Sequence, residues 1–72
     1  MSSQSLEYFI LVINQARNLT KKEKDILLRR LKGITLRKIG RRYKLTAERI
    51  RQVEEEALTK LSKKISQLLL FD

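Results

Sequence analysis

Gly33 and Gly40 are the only glycines in this chain of 72 residues, and it contains no proline. A small sheet domain reverses direction every few residues and needs more turn residues than that. A helical fold needs only a few stops, and the apolar pattern agrees. Leu6, Phe9, Ile10, Ile13 and Ala16 recur at the spacing of one helix face. Tyr8, Leu11 and Val12 lie off that stripe, so this first helix suits either deep burial or docking against another helix or subunit. In "NLTKKEKDILLRRLKG" Thr20 stands three residues before Glu23, the pattern of a capping box. Ile26, Leu27, Leu28 and Leu31 supply the apolar face of that second helix, and Gly33 suits its C-terminal stop. "TLRKIGRRY" reads as a short third helix with Thr35 as N-cap. "KLT" reads as a turn. The remainder, "AERIRQVEEEALTKLSKKISQLLL", reads as one long helix or two in series, capped by Thr46, with Ile50, Val53, Ala57, Leu61, Ile65 and Leu68 on its stripe. Residues 1–5 are small and polar and are expected to fray. The expectation is one all-α domain of four to five helices spanning residues 1–72.

A core this small is marginal and depends on dense helix packing or a partner. The chain has no cysteine and no histidine. Disulfide staples and a structural zinc site are therefore excluded, and a cytoplasmic location fits. Catalysis needs positioned acid–base or nucleophilic groups. The consecutive carboxylates Glu54, Glu55 and Glu56 point in three directions around a helix, so neither an enzyme nor a cofactor is expected. The longest apolar run, Tyr8 to Ile13, falls far short of the roughly 20 residues of a membrane span, and no membrane partner is expected.

Net charge is +9 and its distribution is uneven. Residues 1–19 are neutral, and residues 52–72 carry −1. Residues 20–51 hold thirteen Lys and Arg against Glu23, Asp25 and Glu48, a net of +10. Such a concentration is self-repelling without a polyanionic partner, so an anion-binding surface is expected in the middle of the chain.

That segment also carries a helix-turn-helix pattern. Ile39 and Tyr43 give the short helix an inward face. Gly40 lies where the two helices approach, and a larger side chain there would hold them apart. Leu45 in the turn points back to the core, and Ile50 and Val53 anchor the second helix. The misfit is Lys44, at a turn position that often takes glycine, which is expected to adopt a less favoured backbone conformation.

"TLRKIGRRYKLTAERIRQVEEEALTKL" resembles the helix-turn-helix of region 4 of the bacterial sigma-70 family, and "LTKKEKDILLRRL" resembles the helix before it. The resemblance covers Leu19 to Leu61, and its sharpest part is "TAERIRQVE". It implies an architecture like a winged helix without the wing, with the helix-turn-helix over residues 35–61. It also implies double-stranded DNA as partner, through the promoter −35 element, and docking on the β flap of RNA polymerase core. On that basis Glu48, Arg51 and Gln52 are the expected base readers, from a helix whose N-terminal turns enter the major groove. Arg37, Lys38, Arg41, Arg42, Lys44, Thr46 and Arg49 are the expected backbone contacts, which give affinity rather than sequence choice. Glu48 in a first helical turn also serves as an ordinary partner of the helix dipole.

Three departures qualify the resemblance. Ala47 stands where the family usually has arginine. Glu56 and Thr59 replace basic residues that meet activators there. The "KGIT" loop is short for a housekeeping factor. Nothing resembles the −10-reading helices, so the sequence matches either an excised domain or a free-standing protein. The alternative reading is an interaction module that binds polymerase, an anti-sigma factor or itself, using Tyr8, Leu11 and Val12 together with Leu69, Leu70 and Phe71. Within the final helix, Glu56 is placed to pair with Lys60 at i, i+4.

Overall fold

The computed structural model describes the backbone of residues 3–69 and the side chains of residues 6–63. Four helices follow in order, α1 (Ser3–Gln15), α2 (Lys21–Leu31), α3 (Leu36–Tyr43) and α4 (Ala47–Leu69). α1 starts at Ser3 rather than at Leu6. α4 is a single helix, not two in series. No proline or glycine interrupts it, and its 23 residues make a rod about 34 Å long.

The helix boundaries follow from local chemistry. Thr20 caps α2 through a complete capping box: its hydroxyl accepts from the Glu23 N–H at 3.1 Å, and the Glu23 carboxylate accepts from the Thr20 N–H at 2.8 Å. α2 ends with Gly33 at φ +84°, a left-handed conformation that glycine adopts without steric cost. There the Gly33 N–H donates to the Arg30 carbonyl and the Ile34 N–H to the Arg29 carbonyl, the bond pair of a Schellman stop. Thr35 and Thr46 cap α3 and α4 by accepting from the Lys38 and Arg49 N–H groups.

Two adjoining apolar clusters hold the helices. The first joins Ile13, Ala16 and Leu19 to Leu27 of α2 and to Ala57 and Leu61 of α4. The second joins Ile26, Ile39, Ile50 and Val53, with Ile34, Leu36, Tyr43 and Leu45 packed around them. This second cluster fixes α3 against the start of α4 and so positions the helix-turn-helix. Ile26, Ile39 and Ile50 are fully buried.

α1 is not deeply buried. Tyr8 is 68% exposed, Leu11 54% and Phe9 40%. Val12, expected off the inward stripe, instead packs against the first cluster. α1 rests mainly on α2, so only a narrow edge of it is covered. The residues expected to join Tyr8 and Leu11 in an apolar patch, Leu69, Leu70 and Phe71, lie outside the described side chains, as do those of Ile65 and Leu68.

Polar ties supplement the cores. Lys60 donates to both oxygens of Glu23 at 3.1 and 3.0 Å, fastening the middle of α4 to the N-terminus of α2. The expected Glu56–Lys60 pair is therefore replaced. Glu23 is nearly buried and fixed by its cap, a better-organised partner than an exposed glutamate one turn away. Arg30 binds Glu54 at 2.7 Å and links α2 to α4 a second time. The Tyr43 hydroxyl donates to Asp25, which also accepts from Arg29 at 2.9 Å. Among the described residues no buried side-chain polar atom lacks a partner.

Candidate nucleic-acid interface

α3, the turn and the first half of α4 form one continuous structure. Gly40 sits in α3 where an added Cβ would stand 2.5 Å from the Leu45 carbonyl oxygen. The close approach is thus to the turn backbone, and it is what requires glycine. Lys44 adopts φ 56° and ψ 41°, the only positive φ at a non-glycine residue among those described. The Leu45 N–H then reaches the Gly40 carbonyl at 2.8 Å and closes the turn. Leu45 and Tyr43 are half-buried against Ile39, Ile50 and Val53, so all six expected structural positions meet in one place.

Arg37, Lys38, Arg41, Arg42 and Lys44 are exposed on α3 and the turn, with Thr46 and Arg49 exposed at the start of α4. These six cations and one hydroxyl flank the N-terminus of α4, whose unpaired N–H groups and dipole add positive potential. The remaining hydrogen of the Thr46 hydroxyl is not used by its capping bond.

Glu48, Arg51 and Gln52 share the face of α4 turned away from Ile50 and Val53. They are not three independent groups. Arg51 Nε donates to Glu48 at 3.0 Å, and its terminal nitrogens donate to Glu48 and Glu55. The Arg51 bond holds the Glu48 carboxyl below its ordinary value, and Glu48 and Glu55 together raise the Arg51 guanidinium. Gln52 accepts from Arg49 at 3.4 Å. Glu55 therefore belongs to the face of the expected readers, while Glu54 faces α2 and Glu56 faces solvent.

A family model for sigma-70, region 4 matches residues 17–63. The chain belongs to that family. It is a DNA-binding, transcription-related family rather than an enzymatic one, and the helix-turn-helix of this region 4 domain is of the DNA-binding type found in sigma factors. Comparisons with curated proteins and with solved structures give no match. The family match begins just after α1, so the first helix lies outside it.

A second surface accompanies the basic one. Phe9 and Ile13 of α1, Leu27 and Leu31 of α2, and Leu58 and Leu61 of α4 line a groove of about 280 Å³, rimmed by Arg30 and Glu54. Sequence patterning misses it because Leu58 is off the α4 stripe and the shared face of Phe9 and Ile13 does not tell how much of α1 its neighbours cover. A Leu next to Ala57 and three before Leu61 was the available signal. Among the described residues no acidic cluster is suited to a metal ion and no helix is long and apolar enough to cross a membrane.

Proposed function

We propose that this domain binds a promoter −35-like element in duplex DNA, with the N-terminal half of α4 in the major groove, and that it docks on the β flap of RNA polymerase. The observation that carries the reading is the placement of the basic residues. Six exposed cations, with Thr46, lie on α3, the turn and the first turn of α4, the same helix-turn-helix that carries Glu48, Arg51 and Gln52. The cations of α3 and the turn meet phosphate, and the polar face of α4 meets base edges. Glu48 accepts from cytosine N4, Arg51 donates to guanine, and Gln52 reads an adjacent edge. The Ala47 side chain has no group that reaches a base or phosphate by hydrogen bonding, so the preferred element differs from that of relatives with arginine there.

The apolar groove between α1, α2 and α4 supports the polymerase contact. It lies between the two helices that precede the helix-turn-helix and the middle of α4, and its lining includes none of the exposed cations of α3 and the turn. Selection of bound sites from a random duplex pool, with and without polymerase core, tests both parts. A defined motif with the isolated chain supports base reading. A motif that sharpens only with core supports joint action. No enrichment in either arm refutes promoter recognition, and favours the alternative of an interaction module that uses the groove alone.

A further inference from the structure

Arg51 lies between two carboxylates on the surface where base reading is proposed. Glu48 takes the Nε side of the guanidinium and one terminal nitrogen, at 3.0 and 2.5 Å, and Glu55 takes the other terminal nitrogen. The pairs are i, i+3 and i, i+4 on one helix, and all three side chains remain partly or largely exposed. Exposed pairs of this kind are weak and exchange readily for a better partner. The local charge of this triad is −1 despite its arginine.

We propose that Glu55 is a specificity-determining residue of the recognition helix, acting by keeping Arg51 from phosphate and leaving it available to a guanine edge. The proposal rests on the DNA-binding reading above. A phosphate drawn to Arg51 brings a full negative charge against the Glu55 carboxylate one turn along the same face. A guanine edge offers O6 and N7 as neutral acceptors to the same donors and meets far less repulsion. Specificity obtained by a repulsive element against the wrong partner is the general form of such a device. Glu48, released by the same exchange, becomes free to accept from a cytosine amine. Glu55 thus lowers binding to DNA at large more than binding to the preferred site.

The test compares the unmodified chain with Glu55→Gln and Glu56→Gln. Glu56→Gln removes the same charge about 100° around the helix, from an exposed side chain away from Arg51. Binding is measured by fluorescence anisotropy over a range of salt. The probes are a random-sequence duplex and the best duplex selected by the unmodified chain. In Glu55→Gln, Arg51 gains access to one more phosphate. The slope of log affinity against log salt on the random duplex should steepen by about 0.9. The ratio of selected to random affinity should fall roughly three- to tenfold. Glu56→Gln should shift both duplexes alike and leave the ratio unchanged. The proposal is overturned if Glu55→Gln leaves slope and ratio unchanged, or if Glu56→Gln matches it. It is also overturned if the unmodified chain binds all sequences equally. A chain that binds neither duplex at any salt instead refutes the DNA-binding reading itself.

Discussion

Lys44 holds the turn in a left-handed conformation, which costs an L-residue with a Cβ about 1–2 kcal/mol. Glycine adopts that conformation freely but loses more chain entropy on folding. Lys44→Gly should therefore raise the urea midpoint by an amount equivalent to roughly 0.5–1 kcal/mol, while weakening DNA binding through loss of one cation. That opposite movement is expected only if Lys44 was retained for its charge. Gly40 makes the complementary case. Alanine improves helix propensity by about 1 kcal/mol, but its Cβ meets the Leu45 carbonyl oxygen at 2.5 Å. Crowding against backbone costs about 1–3 kcal/mol, so Gly40→Ala should lower the urea midpoint. A variant as stable as the parent would mean that the turn yields easily. The Lys44 strain and the Gly40 requirement were both legible in the sequence, since a turn three residues long between two helices leaves few backbone solutions.

At the scale of elements, α2 is tied at its N-terminus by Thr20, Glu23 and Lys60, and toward α3 by Asp25 and Tyr43. Burial pushes the Glu23 carboxyl up, but the Thr20 N–H and Lys60 outweigh it and hold it below its ordinary value of 4.5. Burial likewise acts on Asp25, and Tyr43, Arg29 and Arg42 bring it below 3.8. Both carboxylates are depressed on folding, so each contributes stability that is present above those ordinary values and is lost as pH falls through them and below. Thermal melts should be level near neutrality and fall below about pH 4.5. Lys60→Met should lower the melting point at pH 7 and make the acid decline shallower, because Glu23 loses the partner that depresses it. At the alkaline end, burial and Asp25 raise the Tyr43 hydroxyl above 10.0, so that bond contributes stability lost as pH rises through the raised value. Equal acid declines with and without Lys60 would contradict its role.

The caps at Thr20, Thr35 and Thr46 and the stop at Gly33 were readable because each is a local pattern of hydroxyl, carboxylate or glycine. The Glu23–Lys60 and Arg30–Glu54 ties were not, because their partners stand 37 and 24 positions apart. The exposure of Phe9 was not legible for a related reason. Helical periodicity gives which residues share a face, but not how much of that face the neighbouring helix covers. The position of the base-reader candidates on α4 followed from the spacing of Ile50 and Val53. Their mutual pairing did not, because rotamers choose among several carboxylates at i−3 and i+4.

The whole molecule separates two surfaces. The exposed cations of α3, the turn and Arg49 lie on the helix-turn-helix up to the first turn of α4, while the apolar groove lies among α1, α2 and the middle of α4. Independent surfaces predict independent losses. Leu58 is half-exposed in the groove, so Leu58→Glu should leave the fold and DNA affinity within about twofold while abolishing capture by a purified polymerase flap segment. Arg41→Ala should do the reverse, weakening all duplexes alike and reducing the salt slope by about 0.9. Loss of both activities in either variant would show that the surfaces are coupled.

The most direct test of the central claim is to map backbone amide shifts on adding duplex DNA that carries the selected site. Shifts are expected over residues 37–52, strongest from Thr46 to Gln52, with α1 unmoved. Shifts concentrated instead on α1 and the Leu58 groove, with residues 46–52 silent, would contradict it.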